Sequence, residues 1–467
     1  MMRDDAKLQY NFSILFPINQ YNNEILHFVT IIFRSYTVSK PKEDNMIIHT
    51  VKKDDTLYNL SRRYNVPISR IEADNGIKKG RYLVIGEDLV INNSGRAYTV
   101  KEGDTLYSIA EDNGTTVNAL FRSNPSLNGN PLIFPGQTLY IEEPSENEIV
   151  VNGYAYPFIT ESELRKALPF LSYLTVFTYG FRDDGTLIVP EDERIIEVAK
   201  SYGVSPIMLL STLTDEGVFN NTLSGNLFDD TDLQDVLIEE LINTAQNKGF
   251  EGIEIDFEFI PREDREGYVN FLTRLKAAMN EVGLPLFVAL APKTSDTQPG
   301  LLYEGHDYAG IGEVADYVIL MTYEWGYQFG PPLAVAPIRN VEEVVRYAVS
   351  VIPPEKILLG VPNYGYDWPL PYVKGETEAK GLSTTAAFQL AYDKGATIMF
   401  DEESQAPYFN YYDENGVEHV VWFENARSVR ARLDLVDKYS LGGISVWQIM
   451  RYFPQLYSLL GAEYESL

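Results

Sequence analysis

From residue 148 onward, short apolar runs alternate with longer amphipathic ones eight times. The apolar runs are Glu148–Tyr154, Tyr173–Tyr179, Pro206–Thr212, Gly252–Phe259, Pro285–Ala291, Tyr317–Tyr323, Lys356–Tyr364 and Gly443–Gln448. Between them fall stretches with helical periodicity, including Glu191–Tyr202, Asp229–Lys248, Arg262–Val282 and Val341–Val351. Strand–helix alternation of this kind specifies a parallel sheet. Eight units over residues 148–467 predict a (β/α)8 TIM barrel, whose functional side chains stand at the C-terminal ends of the strands. The connection after the seventh run is too long for one helix. It carries strand-like runs at Ala396–Phe400, Tyr408–Tyr412 and His419–Phe423, with Asp413-Glu414-Asn415-Gly416 placed as a hairpin turn. Residues 370–424 are therefore expected to form a small α+β insertion between strands 7 and 8, walling one side of the cleft.

Ahead of the barrel lies an internal repeat. Thr50-Val51-Lys52-Lys53-Asp54-Asp55-Thr56-Leu57-Tyr58 returns as Thr99-Val100-Lys101-Glu102-Gly103-Asp104-Thr105-Leu106-Tyr107, and Asn75 returns as Asn124 with the same offset of 49 residues. Each unit reads strand, helix, helix, strand, and ends in an apolar strand, Asp88–Ile91 or Thr138–Ile141. Asp55 and Asp104 are placed as the N-caps of the first helices. The pair resembles two LysM domains, over residues 46–92 and 96–142. That resemblance implies βααβ modules that bind N-acetylglucosamine-containing glycans. The first copy has Asp54 where the second has Gly103, and Asp tolerates the left-handed backbone such a position requires. Residues 1–45 lack clear periodicity and are expected to be an upstream extension or disordered tail, with Met46 opening the patterned chain.

The fourth run, Gly252–Phe259, carries the chemistry. Ile253, Ile255, Phe257 and Phe259 share one parity, and Glu254, Asp256 and Glu258 the other. Side chains alternate faces along a strand, so the apolar set packs against the helices and the three acids enter the barrel, Glu258 nearest the mouth. Like charges this close cannot all ionise, and at least one pKa must rise. A raised carboxyl pKa is what a general acid requires. Glu251, of the outward parity, is not expected in the chemistry.

These residues resemble the DGxDxDxE signature of family 18 glycoside hydrolases, with Asp256 and Glu258 on its last Asp and Glu and with Glu251 and Glu254 replacing earlier aspartates. Met321-Thr322-Tyr323-Glu324-Trp325 resembles the family's MxYD segment, with Glu324 for Asp. Val361–Trp368 and Gly442–Trp447 resemble its seventh and eighth strands. The resemblance implies retaining, substrate-assisted hydrolysis, an exception to the two-carboxylate scheme. Glu258 would be acid/base, Asp256 would orient the substrate acetamide, Tyr323 would hydrogen-bond its oxygen, and Glu254 would support the pair. Trp447, Tyr364, Tyr366, Trp368, Asn363, Met321 and Glu324 are the candidate substrate contacts. The bare spacing agrees: Asp256 and Glu258 stand two residues apart on one face, too close to flank a sugar from opposite sides. With LysM repeats in front, the resemblance narrows to spore-cortex and cell-wall N-acetylglucosaminidases of endospore-forming bacteria.

Composition removes other classes. The chain has no cysteine and four histidines, none in an HxxxH pair, which argues against thiolate chemistry and Cys- or His-based metal sites; no metal or cofactor is expected. A net charge of -29 opposes binding to nucleic acid or anionic membranes. His306 and His419 are expected at the surface or on loops. The best candidate for a membrane span, His27–Phe33, is too short and lacks the flanks of a signal peptide. The expected partner is peptidoglycan or a chitin-like glycan, met by a monomer at the spore coat, cortex or cell wall, with cortex fragments cut during germination. A chitinase on the same scaffold, and a non-catalytic glycan-binding or spore-coat protein, are the alternative readings.

Overall fold

A computed structural model describes residues 46–143 and 145–467; the expectation for residues 1–45 lies outside them. In the first repeat Met46–Thr50 pairs antiparallel with Asp88–Asn92 around helices Leu57–Tyr64 and Ile68–Asn75. In the second, Arg96–Thr99 pairs with Thr138–Ile141 around Leu106–Asp112 and Val117–Ser123. The expected N-caps are corrected by one residue. Thr56 and Thr105 cap the helices, their hydroxyls accepting from the N–H of Asn59 at 3.1 Å and of Ser108 at 3.0 Å. Asp55 and Asp104 act one step earlier, accepting from the N–H of Lys52 at 2.8 Å and of Lys101 at 2.7 Å, which closes the turn entering each helix. Asp54 adopts φ 72° where Gly103 adopts φ 89°, so the substitution keeps the left-handed turn.

Eight parallel strands close the barrel: Glu148–Ala155, Tyr173–Phe181, Ser205–Ser211, Ile253–Asp256, Leu286–Leu290, Tyr317–Leu320, Ile357–Pro362 and Gly443–Trp447, the last pairing back to the first. Ile253, Ile255 and Phe257 are fully buried in the shell between barrel and helices, beside Tyr268, Phe271 and Leu272. On the other parity, Glu254 is in register with Leu209 and Phe287. Below it Val150, Ile207, Phe287, Ile319 and Leu358 plug the interior with Tyr173 and Tyr317; above it Tyr154, Phe177 and Leu209 pack with Trp447. Glu254 thus sits between two apolar layers.

Two strand readings are corrected. The fourth strand stops at Asp256, and the parity fails at Phe259, which turns to φ 53° and is 42% exposed at the cleft. The seventh stops at Pro362, and Tyr364–Pro369 begins the sheet of the insertion. That sheet is antiparallel, in the order Lys380–Ser383, Tyr364–Pro369, Glu418–Trp422, Ala406–Tyr412, Met399–Asp401, with helix Thr384–Asp393 against it.

The repeats are packed onto the rest of the chain. Val84 of the first enters the apolar core of the insertion with Phe388, Ile398 and Phe409. Gly86, at φ 84°, allows this approach: a β-carbon there would stand 1.8 Å from the Ile398 carbonyl oxygen. Gln455, on the last helix Pro454–Glu463, donates to the Asp88 carbonyl at 2.6 Å and to Asn75 Oδ1 at 3.0 Å. The second repeat is held through Asn118, which donates to the Tyr202 carbonyl at 2.8 Å. Among the described residues, no helix is long and apolar enough to cross a membrane.

Candidate active site

The barrel mouth opens into a cavity of about 490 Å³ that reaches Asp256, Glu258, Met321, Tyr323, Glu324, Tyr366 and Trp447 together. These residues come from the ends of the fourth, sixth and eighth strands and from the insertion. The space Tyr323 occupies depends on Gly360 of the seventh strand, where a β-carbon would lie 2.9 Å from the tyrosine ring. Trp447 stands edge-on to Tyr154 at 5.2 Å and to Phe177 at 5.0 Å between ring centres. Such a cluster keeps the indole fixed while leaving part of it open.

Glu254 is fully buried and held from two sides. Tyr154 donates its hydroxyl to Glu254 Oε1 at 2.5 Å, and Thr175 Oγ1 lies 3.0 Å from Oε2. The same Thr175 hydroxyl is 3.0 Å from Asn152 Oδ1, and Asn152 donates to Ser445 at 3.0 Å. Thr175 has one proton for two acceptors, so a protonated Glu254 satisfies the chain best. Burial pushes the Glu254 carboxyl up to about 7, against the two hydrogen bonds that favour its charge.

Asp256 and Glu258 are reached from the cleft but otherwise enclosed. Burial raises Asp256 well above the usual carboxylate range, and the charges of Glu258 and Glu254 add to it. Burial also raises Glu258. Asp256 Oδ1 is buried without a hydrogen-bond partner among the described groups. Glu254 is committed to Tyr154 and Thr175, so the three acids divide into a deep supported one and an upper pair facing the cavity.

The backbone that aims Glu258 is pinned by His306. Its Nε2 lies 3.1 Å from the Phe257 carbonyl oxygen, and its Nδ1 accepts from the Ala291 N–H at 3.1 Å. This requires the neutral ring protonated on Nε2, and burial pushes its pKa down to about 4. The surface placement expected for His306 is corrected: it is fully buried under the fourth strand's end.

The family model for glycosyl hydrolases family 18 matches residues 159–451, and that for the LysM domain matches residues 49–92 and 98–142. The chain belongs to glycosyl hydrolases family 18. It is a glycoside hydrolase preceded by two LysM domains. It is 38% identical over 420 residues to the cortical fragment-lytic enzyme of Bacillus anthracis, covering 88% of this chain and 97% of that one. The crystal structure of the Bacillus cereus spore cortex-lytic enzyme SleL superposes with a TM-score of 0.77 at 37% identity, covering 90% of this chain and 98% of that one. A chitinase from Chromobacterium violaceum superposes with a TM-score of 0.62 at 26% identity over 67% of this chain and 98% of its own.

Not every candidate contact reaches the cleft of this family 18 hydrolase. Trp368 is fully buried inside the insertion, its indole N–H donating to the Gly330 carbonyl at 2.9 Å. Asn363 is also buried, and its amide donates to the carbonyls of Gln448 at 2.8 Å and Arg451 at 3.0 Å. Tyr364 stands behind Glu324, donating to its Oε1 at 2.5 Å, while Tyr366 donates at 3.0 Å from the cleft side. Other cleft residues escaped the sequence reading: Tyr156, Phe177, Phe219, Asn221, Tyr303 and Trp325. Tyr154 also escaped it. Its signal was its place two residues after Asn152 on the inward parity of the first strand.

Proposed function

We propose that this hydrolase cleaves β-N-acetylglucosaminyl linkages in peptidoglycan, with cortex fragments as its substrate, by a retaining, substrate-assisted route. The observation carrying the proposal is that Asp256 and Glu258 open side by side into one cavity that also holds Tyr323 and Trp447. Glu258, whose hold on its proton burial strengthens, gives that proton to the glycosidic oxygen as the bond to the anomeric carbon breaks. The substrate's acetamide oxygen attacks that carbon and forms an oxazolinium ion. Asp256, which lines the cavity, accepts from the acetamide N–H and stabilises the positive charge that develops on the oxazolinium. Tyr323 donates to the acetamide oxygen, and the sugar face rests on Trp447. Ionised Glu258 then takes a proton from water, which opens the oxazolinium ring with net retention. No second carboxylate nucleophile is needed, which suits two acids on one edge.

The relatives named for cortex lysis, aligned across both LysM domains and the barrel, support peptidoglycan over chitin. The LysM domains support glycan binding, and the same relatives support a spore or cell-wall location. The experiment compares product release from purified cortex fragments and from chitin oligosaccharides, with wild type and Glu258→Gln. The expected result is cleavage of cortex fragments at N-acetylglucosamine, lost in the variant with glycan binding retained. Preferential cleavage of chitin would overturn the substrate, and unchanged turnover by the variant would overturn the acid.

A further inference from the structure

A second recess, apart from the one that holds the acids, adjoins the cleft. A cavity of about 740 Å³ lies between the first LysM domain and the insertion. Lys78 enters it from the LysM side, Lys380 and Lys394 from the insertion, and Arg451 from the loop after the eighth strand. Four cations converge there in a chain whose net charge is -29.

Carboxylates among the described residues do not neutralise them, and the Lys394 ammonium stands 5.3 Å from the centre of the Tyr411 ring. Arg81, also at this cavity, is bound by Glu87, with Nη1 to Oε2 at 3.0 Å. Among the described residues, none of the other four cations forms an ion pair with a carboxylate. Two acids line the same space. Asp367 is engaged by the Tyr411 hydroxyl at 2.7 Å and by His419 Nδ1 at 2.8 Å. Asp393 accepts from Gln389 at 2.8 Å. The walls are fixed, because Val84 and Gly86 lock the LysM domain to the insertion at Ile398.

The recess adjoins the active cleft. Strand Tyr364–Pro369 divides them: Tyr366 lines the catalytic cavity and the next residue, Asp367, lines this one. Asn363, at the base of that strand, holds the Arg451 carbonyl. A glycan in the cleft and a charged substituent in the recess can therefore belong to one substrate.

We propose that this recess is an anion site for the carboxylates carried by the glycan: the lactyl group of muramic acid or the free acids of the stem peptide. The assignment rests on the peptidoglycan reading above and adds to it what a neutral N-acetylglucosamine polymer would lack. The recess discriminates acidic from neutral glycans, while the aromatic cleft grips the sugar. Cations partly open to water contribute modestly one by one, and three of them together account for about a tenfold preference. Such a preference weakens as salt rises.

The test uses the full chain carrying Glu258→Gln, so that nothing is cleaved. Calorimetry measures its affinity for a soluble peptidoglycan strand with free stem-peptide acids and for the same strand with those acids amidated. A third strand, stripped of peptide, exposes the lactyl carboxylates that the peptide-bearing strands hold in amide linkage. The acidic strand or the stripped one, according to which carboxylate is read, is expected to bind about tenfold more tightly than the amidated one, and Lys78→Gln/Lys380→Gln/Lys394→Gln to erase the difference. If the preference resides in the peptide, free stem peptide competes; if it resides in the lactyl group, the stripped strand binds more tightly than the amidated one. Either result supports the site. Equal affinities for all three strands, or a preference that the triple variant retains, would overturn it. Should the triple variant fail to fold, Lys380→Gln alone and the salt dependence of the unsubstituted recess decide the same question. Cleavage by the active enzyme is read separately. An acidic preference on a strand the enzyme does not cut would sink the catalytic reading and leave the anion site standing.

Discussion

Glu254→Gln is expected to stabilise the protein at alkaline pH and not at acidic pH. Burial holds the folded carboxyl at about 7, against an ordinary value of 4.5. The folded state therefore keeps this proton after the unfolded chain has lost it. The associated stability is fully present below the unfolded pKa and is lost as pH rises through the folded one. At about 1.4 kcal/mol per pH unit, the whole effect is about 3 kcal/mol, of which about 2.5 falls between pH 5 and pH 8. Gln has the same shape, accepts from Tyr154 through its carbonyl, and does not titrate. Removing the Glu254 charge also relieves Asp256, whose carboxyl it helps to raise, so the coupling acts in the same direction. Asp74 and Glu424 are likewise pushed up to about 7 by burial, so wild type alone cannot isolate Glu254. The assay is therefore a difference: urea unfolding of wild type and Glu254→Gln at pH 5 and pH 8. The stability of the variant relative to wild type should rise by about 2.5 kcal/mol between the two. A gap independent of pH would refute the claim that Glu254 is held protonated in the fold.

Three further outcomes follow from the site and its supports. Tyr323→Phe should lower kcat on an N-acetylglucosamine oligosaccharide about a hundredfold with little change in KM, if its hydroxyl acts on the acetamide oxygen in the transition state; an unchanged kcat would remove it from the chemistry. Trp368→Phe should leave KM unchanged and lower stability by about 1–3 kcal/mol, because the Gly330 carbonyl loses its buried donor; a raised KM would return Trp368 to the substrate. Gly86→Ala should cost about 1–3 kcal/mol or more, since a β-carbon would meet the Ile398 carbonyl oxygen at 1.8 Å on a backbone at φ 84°; thermal unfolding and proteolysis between the LysM domain and the insertion would read it.

The barrel was legible because its signal is repeated. Eight strand runs each needed only local apolar content, and their alternation with helices left one sensible closure. The repeat was legible for the same reason. Individual termini were less so. Thr56 and Asp55 are both good cap residues, and a one-residue ambiguity in where the helix opens decides which of them caps. Pro362 and Tyr364 lie in one apolar run, yet they belong to two sheets. No local propensity announces that change of partner, because strand pairing is a long-range event.

The site divides along the same line. Glu254, Asp256 and Glu258 could be read because alternation is a property of a single strand, and Tyr323 and Trp447 because one follows and the other ends a strand of its own. Trp368 and Asn363 could not be told from true contacts, because their exclusion depends on the Gly330, Gln448 and Arg451 carbonyls that consume their donors. His306 was missed for a related reason: one histidine in a loop gives no hint that it will carry the carbonyl beside Glu258. Most instructive is Glu254. An acid longer than the family's Asp leaves its proton-sharing with Asp256 open in the sequence. The fold resolves this by giving Glu254 partners of its own, Tyr154 and Thr175, drawn from the first two strands. The deep carboxyl is thus held in a hydrogen-bond chain of its own, and Asp256 keeps Oδ1 buried and unpartnered beside it. Burial therefore sets the direction of this strand's electrostatics, and the pair of hydroxyls that two neighbouring strands present to its first acid tempers it.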